Sequence, residues 1–293
     1  MVSTAAEGSV SSVGRGRGSA GLPITPRAFP IEQIGAHIPK HWLAGSVLAT
    51  HLANGVNLLF PAGERFFVRS VRRYLSSIAD DPALMEAVRG FAGQEGHHAR
   101  AHEQVFEMLE QQGYRVKPYL RVYEKIAYSF IERLFPPVLR LSATAACEHF
   151  TAILAENFLR ESHEATMDPV LRRLMTWHAV EEIEHRSVAF DVLSRVDDRY
   201  FVRIAGLAVA SVMLAGFWIG GTGYLLAQEP SVVSVVRREA ASMKGHHPFG
   251  ERVFGRGIKA YLARGFHPSD NAALDALAKK ALAEIQQDMG LTS

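Results

Sequence analysis

The stretch WHAVEEIEHRSVAFDV, Trp177 to Val192, holds Glu182 and His185 three residues apart inside apolar sequence that includes Ile183, Val188, Ala189 and Phe190. Apolar residues here recur at helical spacing, and residues three apart on an α-helix point in nearly the same direction. One carboxylate oxygen and one imidazole nitrogen can therefore meet the same ion. A single Glu-x-x-His pair is a weak signal, but a second one, Glu95 with His98, sits in another periodic segment beside Phe91, Ala92, Ala99 and Ala101. Each pair is preceded, by about thirty residues, by a segment that offers another glutamate: Glu64 before the first and Glu148 before the second.

The order Glu64, Glu95 with His98, Glu148, Glu182 with His185 matches the ligand set of ferritin-like di-metal carboxylate bundles. In those bundles one Glu comes from each of two helices and Glu-x-x-His from each of the other two. Four carboxylates neutralise two divalent ions and can bridge them, and imidazole adds one nitrogen to each. Hard oxygen with nitrogen suits iron first, with manganese, an iron–manganese pair or zinc as alternatives. His102 lies four residues beyond His98, and His178 four before Glu182, so both fall on the metal-facing stripe as outer donors or extra ligands. Glu181 competes with Glu182 for the ligand position, and the spacing to His185 favours Glu182. His97 and His149 point away from the neighbouring ligands. Glu156 reads as an ordinary helix-face charge and Cys147 as a small buried residue.

Working outward, strand signals are almost absent, and Pro, Gly and Asp punctuate segments of helix length. The pattern predicts helices over about 41–60, 61–78, 80–112, 119–134, 137–162 and 168–196, then two or three amphipathic helices over 229–293. The expected fold is all-α, a ferritin-like four-helix bundle with additional C-terminal helices and a long apolar helix or hairpin. The expected organisation is a disordered tail at 1–22, the di-metal bundle at 23–198, an apolar membrane-associated or buried segment at 199–228, and a helical extension at 229–293. The tail is rich in Gly, Ser and Ala and lacks the apolar core of a secretory signal. No charged residue interrupts Ile204 to Ala227, a run long enough to cross a bilayer. Gly220, Gly221 and Gly223 weaken it as one helix, and arginines flank both ends, so charge sets no orientation.

Lys plus Arg number 32 against 30 Asp plus Glu, which gives no basic surface for nucleic acid. The single cysteine excludes an internal disulfide and fits a reducing compartment. The expected location is cytoplasmic, against the inner face of the membrane, with a homo-oligomer left open.

The stretches FPAGERFF (Phe60 to Phe67), GQEGHHARAHEQ (Gly93 to Gln104), CEHFTAILAE (Cys147 to Glu156), WHAVEEIEHRSVAFDV and YLARGFHPSDN (Tyr261 to Asn271) together resemble a bacterial family labelled predicted metal-dependent hydrolase. The resemblance runs from about Pro23 to the C-terminus. It implies a metal enzyme, and its His-rich motifs map onto Glu95, His98, His102, His178, Glu181, Glu182 and His185. Its GFHP motif maps onto Gly265 to Pro268, where His267 reads as structural or site-lining.

Three function classes follow. The first is oxygen-dependent oxidation of a lipophilic small molecule by a di-iron centre. It needs electrons from a donor protein or the substrate, since no nicotinamide or flavin fingerprint is present. The second is hydrolysis by metal-activated water, with Glu181 as general base. The third is metal storage or a purely structural bundle. No Gly-x-Ser-x-Gly elbow, phosphate loop or Cys nucleophile motif offers another reactive centre.

Overall fold

A computed structural model describes residues 22–161, 163, 165–242 and 254–288. The expected disordered tail, Leu22 apart, lies outside these residues. The fold is all-α: among the described residues the nearest thing to a strand is an isolated bridge between Leu43 and Met167.

Four helices surround the Glu and His residues singled out above: α2 (Phe60–Arg72), α3 (Pro82–Gln111), α6 (Pro137–Arg160) and α7 (Pro169–His185). Each packs on two of the others, α2 on α3, α3 on α7, α7 on α6 and α6 on α2, which closes a ring around a buried axis. Their ends are set by local chemistry. Asp81 accepts from the Leu84 amide (3.0 Å) to start α3, and Gly113, at φ +94°, ends it where most side chains would be strained. Asp168 accepts from the amides of Val170 (2.9 Å) and Leu171 (3.3 Å) to start α7.

Helix α1 (Val47–Asn57) is shorter than the predicted 41–60, because Ala44 and Gly45 both take positive φ and turn the chain just before it. The predicted 119–134 helix is α4 (Lys117–Glu124), which continues through a π-helical stretch (Lys125–Ile131) into the short α5 (Glu132–Leu134). The predicted 168–196 helix breaks after His185, and α8 (Val188–Val196) follows. Arg186 occupies the break. Its buried guanidinium donates to the Pro268 carbonyl (3.0 Å) and pairs with Asp275 (2.8 Å), tying the C-terminal segment to the end of α7.

The apolar run is one continuous helix, α9 (Tyr200–Leu226), not a hairpin. Gly206 and Gly221 serve close packing, and the helix runs through Gly220, Gly221 and Gly223 without a break. A Cβ on Gly206 would lie 2.5 Å from the backbone carbon of Ser142, and one on Gly221 would lie 3.3 Å from Tyr119 and Leu58. Helix α9 runs along α6 and α1. After it come α10 (Val232–Ser242), α11 (Phe254–Tyr261) and α12 (Ala272–Asp288), with α12 laid against α7 and α6.

Candidate metal centre

The ring of helices brings Glu64 from α2, Glu95 and His98 from α3, Glu148 from α6, and His178, Glu182 and His185 from α7 into one buried cluster. Their donor atoms form three overlapping groups, each with atoms within 4.8 Å of one another. These are Glu64 with His98 and His178, Glu95 with His98 and Glu182, and Glu95 with Glu148 and His185. Glu182 lies between the histidines: one oxygen is 2.7 Å from His178 Nε2 and 3.6 Å from His98 Nδ1, the other 3.5 Å from His185 Nε2. His185 Nε2 is also 3.2 Å from Glu148 and 3.4 Å from Glu95.

Each of the three imidazoles is held from behind so that its inner nitrogen faces the carboxylates. His98 donates from Nε2 to Glu181 (3.0 Å), and His185 donates from Nδ1 to Gln94 (2.9 Å). The Gln94 amide is fixed in turn by donating to Glu184 (2.7 Å) and the Thr25 carbonyl (3.3 Å). His102 donates from Nδ1 to the Asn57 carbonyl oxygen, and His178 donates from its own Nδ1 to His102 Nε2 (2.6 Å). His178 Nε2 faces inward, 2.7 Å from a Glu182 oxygen. Outer partners of this kind fix the tautomer of metal-ligating histidines. The inner atoms are the ones without partners: both oxygens of Glu64, Glu95 and Glu148, one of Glu182, His98 Nδ1 and His185 Nε2 are buried with no hydrogen bond among the described residues. Buried carboxylate oxygens are rarely left so, and a cation is the partner that satisfies acceptors alone. The donors fit a metal.

The electrostatics agree. Burial, and then the neighbouring carboxylates, push Glu64 and Glu95 well above the usual carboxylate range. Burial pushes Glu148 up to about 7 against the opposing effect of His185. Burial works the same way on Glu182, but His185 and His178 overcome it and hold Glu182 well below that range. His98 and His102 are pushed well below the ordinary imidazole value by burial and by His178. Without cations, Glu182 alone of these four carboxylates is shifted toward its ionised form.

Glu181, expected to compete for the ligand position or act as base, has both oxygens engaged. One accepts from the Arg27 amide (3.1 Å) and guanidinium (3.2 Å), the other from His98. Burial pushes it up to about 8, although Arg27 opposes this. Arg27 also makes a two-pronged pair with Glu184, at 2.8 Å for each contact. Gln94, Arg27, Glu184 and Asn57 escaped the sequence reading. Gln94 is one residue before Glu95, but nothing in a single sequence says which partner its amide meets. His97 is half-buried and pairs with Arg100, and His149 donates to the Gly257 carbonyl (2.9 Å), so neither faces the cluster. His267 pairs with Asp191 (2.8 Å) and accepts from the Ser269 amide, a structural place outside the cluster. Glu156 pairs with Arg160 on the surface.

A cavity of about 330 Å³ opens against Glu182 and His178. Its wall is mostly apolar, with Leu52, Phe60, Leu154, Phe158 and Trp218 among its residues. Two polar residues of α1 also line it. Asn54 accepts from Trp42 Nε1 (3.1 Å) and Asn57 from His102, which leaves both amide NH2 groups buried and without partners among the described residues.

A family model described as predicted metal-dependent hydrolase matches residues 26–272. No curated protein and no solved structure matches the chain.

Proposed function

The chain belongs to the predicted metal-dependent hydrolase family, and from that premise we propose that it is a two-metal enzyme that hydrolyses a small lipophilic substrate. The observation that carries the reading is the set of inward-facing, partnerless oxygens and nitrogens beside an apolar cavity. Glu64, His98 and His178 would hold one ion and Glu148 and His185 the other, with Glu95 and Glu182 between them. Bound there, divalent ions supply Lewis acidity that lowers the pKa of water and polarises a scissile carbonyl or phosphoryl group. The chain's own residues do the rest. Leu52, Phe60, Leu154 and Phe158 exclude water and take the apolar part of the substrate. The free Asn54 and Asn57 amides face the cavity as donors for an oxygen that gains charge in the transition state. Glu181 acts through His98 as a positioning residue rather than as a free base, since both its oxygens are taken.

Apolar esters assayed anaerobically with the metal-loaded protein test this. Turnover without oxygen, abolished by a chelator, is expected. Asn54→Ala is expected to lower turnover on the order of a hundredfold while the metal content stays unchanged. Oxygen consumption without hydrolysis would instead support a second reading, oxidation of the same class of substrate. That reading draws on the mixed carboxylate and imidazole donors, which suit iron, and it requires a separate source of electrons.

We also infer that α9 lies against lipid. Packed along α6 and α1 on one side, it is not free to be surrounded by lipid, yet its outer face is apolar, with Val212 71% and Ile219 72% exposed. Val122, Ile126, Phe130 and Leu134, on the α4–α5 segment that packs beside α9, are exposed as well. An apolar helix held on the protein by one face and bare on the other is suited to lie against acyl chains. Val212→Asp with Ile219→Asp is expected to move the protein from the membrane to the soluble fraction with little change in melting temperature. A wild-type protein that is wholly soluble without detergent would rule this out.

A further inference from the structure

A second group of metal-ligating side chains lies outside this centre, and none of its members belongs to the motifs above. His41 precedes α1, His51 is on α1, Tyr114 follows the glycine that ends α3, and Glu229 follows α9. His41 Nε2 is 3.1 Å and His51 Nε2 2.9 Å from the same oxygen, Oε1 of Glu229. The Tyr114 hydroxyl donates to that oxygen too and is 3.2 Å from His51 Nε2. The Lys40 ammonium stands 3.9 Å away on the open side.

From this convergence we propose that His41, His51 and Glu229, with the Tyr114 hydroxyl as fourth donor, form a separate structural site for a zinc-class divalent ion. One carboxylate oxygen cannot serve two imidazoles, a phenol and an ammonium at good geometry, because it offers only two lone pairs. A cation among the same donors resolves the crowding. Tetrahedral zinc, with bonds of about 2.0 Å, sets its donors roughly 3.3 Å apart, close to the two imidazole–carboxylate spacings and the Tyr114–His51 spacing found here. Two nitrogens and a carboxylate oxygen are donors that zinc accepts readily. His51, Tyr114 and Glu229 are buried, whereas the His41 side chain is 29% exposed and provides the way in. Lys40, with a side chain 43% exposed, stands over the Tyr114 ring (4.4 Å) and offsets the charge of Glu229 when no ion is bound. An ion here would fasten the start of α1, the end of α3 and the end of α9 at a single point. It would hold the lipid-facing helix on the bundle.

The test uses the full chain, stripped by a chelator and titrated with Zn2+ or Co2+ alone. To separate the two sites, the parent for the experiment carries His98→Ala and His185→Ala, which together remove a ligand from each of the three donor groups of the bundle centre. It is expected to retain one zinc per chain, and with cobalt to show the intense visible absorption of four-coordinate ions. Adding His41→Ala or Glu229→Gln is expected to remove that ion, the cobalt spectrum and the rise in melting temperature on adding zinc. His41 is partly exposed, so its variant tests binding without opening the core. If the parent retains no zinc, or if both added variants bind as much as it does, the proposal is wrong. Failure of the first centre would show differently, as an undiminished total metal content in the parent relative to wild type.

Discussion

Glu95→Gln protein is expected to purify folded, to lose metal from the bundle centre and to drop in turnover by roughly a thousandfold, while its metal-free form melts higher than metal-free wild type. The first two effects follow from position. Glu95 belongs to two of the donor groups, one with His98 and Glu182 and one with Glu148 and His185, so its loss weakens both halves of the site. Metal Lewis acidity is worth several kcal/mol to a transition state, and each tenfold in rate is about 1.4 kcal/mol. The third effect has the opposite sign. Burial and the Glu148 carboxylate push Glu95 well above the usual carboxylate range, so the fold holds its proton to higher pH than the unfolded chain does. Keeping it costs about 1.4 kcal/mol for each pH unit between the two pKa values. A glutamine has no such cost, so the metal-free variant is expected to be the more stable of the two near pH 7. Metal analysis, steady-state assay and thermal melts check the three parts. Unchanged metal content in both Glu95→Gln and His185→Ala would remove the ligand assignment.

The features legible in the sequence were those that a single helix or a local cap determines. Glu182 and His185 could be paired because i and i+3 share a face, and His178 because it lies one turn earlier on the same stripe. The start of α3 at Asp81-Pro82 and its end at Gly113 rest on chemistry within a few residues. What was not legible depends on contacts between distant segments. Arg27 reaches Glu181 and Glu184 from more than 150 positions away, and no local pattern marks it. The tautomer chain from Asn57 through His102 to His178 crosses three helices. The break after His185 is held by Arg186, whose partners Pro268 and Asp275 lie far along the chain. Gly220, Gly221 and Gly223 of α9 suggested a hairpin on intrinsic propensity, but the helix runs on through them, with Gly221 packed closely on Tyr119 and Leu58. The four segments that meet at Glu229 contain no common motif, so that cluster exists only in three dimensions.

Stripped of metal, the protein is expected to lose stability as pH rises from about 6.5 to about 8, and to regain more than it lost when metal is added at the upper pH. The buried carboxyls set the sign. A carboxyl whose folded pKa is raised keeps its full stability below the unfolded value of about 4.5 and loses it as pH rises through the folded value. Glu148 stands at about 7 and Glu181 at about 8, both raised first by burial. Glu64 and Glu95 are raised in the same direction. His185, for which Glu182 and Glu148 overcome the lowering effect of burial, is raised and also loses stability as pH rises. His98 and His102 work in the opposite direction, because burial lowers them and the unfolded imidazoles take up protons that the folded ones refuse. Their effect is complete once pH exceeds the ordinary value of 6.5. Below that pH the two sets oppose each other, and above it the carboxyls and His185 act alone. A loss on the order of 2 kcal/mol corresponds to several degrees in melting temperature for a chain of this size. Divalent metal reverses the trend because it binds the deprotonated ligands, so its stabilisation grows as pH rises. Thermal melts at pH 6.5 and 8, with and without metal, separate the cases. A metal-free protein that grows more stable across this window would mean that the folded state already holds its carboxylates ionised and paired, and the reading of the cluster as a set of donors awaiting cations would fall with it.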